Sequence, residues 1–313
     1  MVPQFLMINN YYADGARKMR LQVIKTVWKG VLLAVVLSGA SWADSNTAEG
    51  DALVIRYPVL GEEYGQTRPN YFLELLTLAL DKAGEEYVLD PVTLSNFRES
   101  RSVMSVAKGV YDIHWMNTNA TRETVLRPIR VPLFKGLIGW RLLMVRSGDE
   151  DQFADMTDLA PLRDLKTVQG HDWPDSAILE HNGLPVIRTP HWEGMFKMLY
   201  AGRVDYFPRS VVEVWKEQRV FSELELAVDE HVVLVYPSAY YFFVRRNNER
   251  LAEAIERGLL TAIDDGSFDR VLMAHFGESL KRARLNERTL IRMDNPLMTP
   301  DTPLDRPELW YRP

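Results

Sequence analysis

From about residue 51 onward, apolar positions switch repeatedly between a helical and a strand-like spacing. Ala52 to Val59 and Tyr87 to Val92 are short apolar runs of the kind that form buried strands. Between them, Tyr71 to Ala83 repeats its apolar residues at helical spacing and stops at Gly84, a residue suited to the left-handed turn that ends helices. A helix from about Ser95 to Lys108, with Gly109 as its stop, leads into a strand from Tyr111 to Trp115. Strands alternating with helices imply parallel pairing with right-handed crossovers.

A polar turn, Met116 to Glu123, follows that strand, and an extended run from Gly139 to Arg146 leaves its neighbourhood. The pattern then restarts. A short helix near Met156 to Asp164 precedes a strand at Lys166 to Gln169, a helix at Asp175 to Asn182 and a strand at Pro185 to Arg188. Next come a helix from Trp192 to Ala201, a strand from Val204 to Phe207, and a helix from Val211 to Gln218. The long extended run His231 to Arg246 reads as a second crossover, returning the chain to the first lobe. Helices at Glu249 to Asp264 and Asp269 to His275, punctuated by Gly266 and Gly277, would pack there. The fold class expected is therefore α/β, two-lobed, with two interlobe crossover strands: residues 44–142 and 236–294 in lobe 1, 143–235 in lobe 2. From 295 to 313, Pro296, Pro300, Pro303, Pro307 and Pro313 rule out regular helix and predict an extended strap anchored by Trp310 and Tyr311.

Composition changes this picture mainly at the N-terminus. Arg20, Lys25 and Lys29 precede the apolar run Val31 to Leu37, and Ser41 and Ala43 supply small residues at the spacing of a signal-peptidase site. Residues 1–43 are thus expected to be an N-terminal extension and cleaved signal peptide, with Met19 as a candidate true start. The alternative, a retained anchor, needs about 20 apolar residues and the run is much shorter. The 313 residues, 46% hydrophobic and 26% charged, suffice for two lobes. No cysteine is present, which excludes a disulfide framework and thiolate metal sites. Of 37 basic and 43 acidic groups, residues 1–43 carry five and one, leaving 32 against 42. That acidic balance argues against nucleic acid as a partner.

Three stretches carry a likeness to a known family. Tyr240-Tyr241-Phe242-Phe243-Val244-Arg245-Arg246, continuing through Leu251 to Ile255, Asp265-Gly266-Ser267-Phe268 and His275-Phe276-Gly277, resembles the C-terminal signature of the type II periplasmic solute-binding proteins of family 3, the polar amino acid type. Gly202-Arg203-Val204-Asp205 resembles the family's second-lobe turn, and Thr121-Arg122-Glu123 is similar to its Thr-x-x-Arg turn in compressed form. The likeness spans about residues 51 to 278. It implies ligand capture between lobes that close by hinge bending, in the periplasm, for delivery to the membrane subunits of an ABC transporter.

Through this resemblance, Arg122 corresponds to the arginine that grips a ligand carboxylate, a task for which a guanidinium fork is shaped. The plainer alternative is a surface arginine paired with Glu123 or Glu99. Asn117 and Thr118 in the same turn could supply hydrogen bonds. Trp115 and Tyr57, near strand ends, could stack on an organic ligand or simply pack in the core, and Tyr64 could form part of a cleft wall. In Gly170 to Asp175, between a strand and a helix start, Asp175 is expected to cap the helix while His171 and Trp173 face the cleft. Where the family places an aspartate for a ligand ammonium, this chain has Pro208, Arg209 and Ser210; an arginine there would welcome an anion. Asp205 is read as structural.

The expectation is a monomeric, non-enzymatic binding protein for a small polar organic solute, which could be an anion, with neither cofactor nor metal, no nucleic acid partner and no membrane insertion after signal cleavage. The alternatives are a periplasmic enzyme of dehydratase or lyase type, or a sensory module on the same fold.

Overall fold

The computed structural model describes residues 52–60, 69–94 and 99–313. The segment 1–43 and Tyr64 lie outside the described residues.

Strand β1 (Leu53–Leu60) pairs in parallel with β2 (Tyr87–Leu94), and helix α1 (Pro69–Ala83) makes the crossover between them. Tyr71, Phe72, Leu75, Leu76, Ala79 and Leu80 of α1 are buried, the i, i+4 stripe a helix needs to lie on a sheet. Gly84, at φ 71°, takes the left-handed turn that ends it. Helix α2 (Glu99–Ala107) returns to β3 (Ile113–Asn117), which lies beside β1: the Asp112 amide donates to the Arg56 carbonyl at 2.8 Å. Where a plain turn and loop were expected, the chain forms a short helix α3 (Ala120–Val125) and a strand β4 (Leu126–Ile129). Strand β11 (Tyr240–Arg245) sits between β3 and β4, antiparallel to both.

The second sheet is centred on β5 (Trp140–Arg146). It is flanked on one side by β8 (Phe207–Ser210), and on the other by β9 (Leu226–Val228) and β10 (Val232–Val235), all antiparallel to it. Parallel strands β6 (Thr167–Gly170) and β7 (Val186–Thr189) adjoin β8 through a bridge between Thr167 and Tyr206. Helices α4 (Pro174–His181), α5 (Trp192–Tyr200) and α6 (Val214–Val220) connect these strands.

The chain passes between the sheets three times: between β4 and β5, at Tyr236 to Ala239 between β10 and β11, and through the two helices that lead from β11 to the last strand. The long run 231–246 divides at Pro237, which has no amide hydrogen to offer a ladder. The first two passages touch backbone to backbone. The Tyr236 amide donates to the Gly139 carbonyl at 3.2 Å, and a Cβ at Gly139 would overlap the Tyr236 carbonyl.

Helix α7 (Glu249–Asp264) crosses α1 so closely that a Cβ at Gly258 would overlap the Ala79 carbonyl. Helix α8 (Ser267–Ala283) runs through Gly277, where the sequence pattern expected a stop. One of the expected boundaries needs correction. Strand β12 (Thr289–Arg292) pairs with β10, so this part of 236–294 belongs to the second sheet. Nor does each sheet keep a separate core. One cluster of buried apolar residues runs from Ile55, Leu75 and Phe242 to Leu142, Phe207 and Val233, because α8 is long enough for Leu280 and Ala283 to reach the second sheet. The tail beyond 294 consists of turns, with a 3-10 helix at Pro307–Leu309 that buries Leu309.

Candidate functional site

The end of β3, the start of α4 and the second passage converge between the two sheets. Asn117 and Thr118 come from the first, Pro174, Asp175 and Ile178 from the second, Ser238 and Ala239 from the third. Asn295, Leu297 and Met298 of the tail complete the lining. The cavity they enclose leaves only about 10 Å³ for the centre of a water molecule, room for one.

The first-sheet side is tightly organised. The Thr118 amide donates to the Ala239 carbonyl at 2.9 Å, and the Ser238 hydroxyl donates to Asn117 Oδ1 at 3.3 Å. Asn119 caps α3, its Oδ1 accepting from the Arg122 amide at 2.9 Å. Arg122 is buried, and its Nη1 donates to the Asn117 carbonyl, bracing the loop from behind. Glu123 accepts from Thr118 Oγ1 at 2.5 Å and from Arg130 at 2.5 Å.

The second-sheet side holds a buried charge network that the sequence reading missed. Asp175 Oδ1 accepts from both Arg141 Nη2 and the Tyr236 hydroxyl. Arg141 also donates to the Tyr236 oxygen at 2.8 Å and to Glu213 at 3.2 Å. Burial alone would push the Arg141 pKa down, but Asp175, Tyr236 and Glu213 outweigh it and leave the pKa raised. Burial pushes the Tyr236 phenol well above its ordinary value, so it stays a neutral donor. Asp175 is therefore an ion-pair partner; the correction to its expected capping role is physical, since Trp173 occupies the N-cap position and makes no side-chain cap bond. The available signal was Arg141 itself, a lone cation inside the apolar run Trp140 to Val145, which had to find a buried acid.

Arg209 does not line the cavity. It is buried in bidentate contact with Glu217, at 2.7 and 2.6 Å, and lies 3.2 Å from Glu213. Burial opposes its charge, and the two glutamates raise its pKa despite that. The network holds two arginines against three carboxylates, so it offers an anion no net attraction. Trp173 lies over Gly170 with the Arg209 guanidinium 4.9 Å from its ring centre, which fixes the ring. His171 is exposed, 3.6 Å from Asp172, and does not line the cavity. Trp115 stacks on Phe72 at 4.9 Å and meets Phe242 edge-on, so it serves the core. Tyr57 lies within β1 opposite Pro91, half-buried against the core, because β1 continues to Leu60. Asp205 accepts from the Lys166 amide at 2.7 Å and pins the start of β6.

No protein-family model matches the chain, and no curated protein does. Solved structures do match. The VFT2 domain of Bordetella pertussis BvgS aligns at TM-score 0.53 and 14% identity, over 71% of this chain and 93% of that one. An ancestral arginine-binding protein bound to arginine aligns at TM-score 0.52 and 15% identity, over 72% and 98%. A histidine kinase sensor domain with similarity to periplasmic binding proteins aligns at TM-score 0.52 and 16% identity, over 72% and 96%. The chain has the two-lobed type II periplasmic-binding-protein fold. In this fold's terms, strands β1 to β4 with β11 belong to lobe 1, the sheet around β5 belongs to lobe 2, and the small cavity lies between them. No helix of the described residues is long and apolar enough to cross a membrane.

Proposed function

We propose that the protein captures a small polar organic solute between its two lobes, outside the cytoplasm, and presents it to the membrane subunits of an ABC transporter. The observation that carries this reading is the convergence of the Asn117-Thr118 loop and the N-terminal turn of α4 on one cleft at the chain passages. Polar loops at strand ends are what such a cleft needs to hold a solute. The lining is mostly uncharged, with Asp175 as its one carboxylate. A neutral or zwitterionic solute therefore fits better than a net anion. Arg122 does not line the cavity, and a ligand carboxylate would become its partner only by displacing the Asn117 carbonyl that now stands between them.

A second reading is favoured by the sensor domain among the structural neighbours: the same cleft would report occupancy to a signalling partner. Both readings require binding without turnover. Thermal-shift screening against amino acids, amides and small carboxylates tests them together. A ligand at about 100 times its Kd should add about 2.7 kcal/mol of stability. Arg122→Ala is expected to abolish the shift for any carboxylate-bearing hit. An unchanged shift in that variant would remove Arg122 from the site, and turnover of the hit would move the protein to the enzymes.

A further inference from the structure

The tail beyond β12 is tied to both lobes. The Asp294 backbone exchanges two hydrogen bonds with the Asn182 side chain at the end of α4, at 2.8 and 3.1 Å. Asn295 Nδ2 then donates to the Pro237 carbonyl on the second passage at 2.8 Å. Leu297 packs on the lobe 2 cluster that contains Leu143 and Ile178, whereas its neighbour Met298 packs on the lobe 1 cluster that contains Tyr241 and Phe243. Thr299 Oγ1 donates at 3.0 Å to the same Glu123 carboxylate that holds Thr118. Farther on, the ring edge of Trp310 meets Gly136, where any Cβ would come within 2.6 Å of it, and the Tyr311 amide donates to the Lys135 carbonyl at 2.7 Å. Between its two anchorages, the tail fills the cleft.

Clefts that hold small molecules have volumes of about 300 Å³ or more. With the tail docked, this one has space for a single water. We propose that residues 294–311 form a displaceable latch: docked, they plug the cleft and clamp the lobes, and a solute enters only when Asn295 to Met298 withdraw. The identity of that solute rests on the capture reading above; the plug itself does not. Solute and tail then compete for one site, so each weakens the other by the same factor.

The absence of cysteine from the chain allows single thiol reporters in the full-length protein. The Thr118→Cys protein places a thiol in the cleft, where position 118 is buried, and the Met298→Cys protein places one on the tail. Adding Leu297→Asp to the Thr118→Cys protein sets a charge against the apolar lobe 2 cluster and should expel the tail. Maleimide labelling at 118 is then expected to accelerate about tenfold, within the range of ordinary coupling, with the far-ultraviolet circular dichroism unchanged. In a separate arm, a compound that raises Tm should slow labelling at 118 and accelerate it at 298. Labelling at 118 that stays slow while the Leu297→Asp, Met298→Cys protein labels fast overturns the latch. So does a Tm-raising compound that binds at the cleft, as slowed labelling at 118 reports, but leaves position 298 protected. If the Leu297→Asp arm behaves as expected but no solute shifts Tm, the latch stands and the capture reading falls.

Discussion

His114, the second residue of β3, is buried and meets the rings of Tyr111 and Trp115 nearly at right angles. Burial first, and the positive charge of Arg122 second, push its pKa down to about 3. In the unfolded chain the same imidazole titrates near about 6.5. The folded value is the lower one, so the unfolded state takes up the proton first. Its contribution to stability is complete above about pH 6.5 and is lost as the pH falls toward 3, by up to about 1.4 kcal/mol per unit. Denaturant midpoints measured from pH 7 to pH 4.5 should therefore fall more steeply for the native chain than for His114→Gln; parallel slopes would show that the imidazole is solvated. This residue carried no readable role in the sequence, and Arg141 announced only its need for a buried acid, because the partners are supplied by distant chain. Asp175 lies 34 positions from Arg141, and Tyr236 lies 95. Arg209 misled for a different reason: its charge is visible in the sequence and its partner Glu217 is only eight positions on, but the two meet because the chain turns back after β8.

Elements were more legible than side chains, because hydrophobic period is a local property. Helix α7 begins and ends where the pattern of Glu249 to Asp264 placed it; the run 231–246 does change sheets, at Tyr236 to Ala239, whereas the run Gly139 to Arg146, expected as the other crossover, is β5 and stays within the second sheet. What local pattern could not supply was the fate of a glycine. Gly266, at φ 73°, separates two helices, whereas Gly277 sits inside α8, and both looked like stops. Nor did it mark the contact between passages at Gly139. A methyl there must push back the Tyr236 carbonyl, which is backbone and cannot rotate aside. Gly139→Ala is expected to cost about 1–3 kcal/mol, as overpacking does, read as a lower urea midpoint at unchanged slope. Stability equal to the native chain would mean that the passages part easily, and the hinge would have to be sought elsewhere.

At the scale of the molecule, the question is whether two lobes behave as two folding units. Lobes of this size commonly could, since each is large enough for its own core. Here the end of α8 is bound to lobe 2 by several unlike contacts. Trp215 Nε1 on α6 donates to the Ser279 carbonyl at 3.1 Å, and the Arg282 guanidinium sits 4.0 Å from the Trp215 ring centre. Buried Arg288 joins the Ala283 carbonyl, at 2.6 Å, to the carbonyls of Asp229, at 2.5 Å, and Val232, at 3.2 Å. With the shared apolar cluster and the tail added, neither lobe can unfold without exposing surface that the other covers. Calorimetry should thus give one transition with equal calorimetric and van't Hoff enthalpies, coincident by near- and far-ultraviolet signals. Two resolved transitions would show instead that the α8 and tail contacts are too weak to couple the lobes. Opening of the cleft would then need no concerted release. If a single transition is seen, opening must break the tail contacts while the α8 joint persists, which makes α6 and the end of α8 the fixed side of the hinge and the tail its moving side.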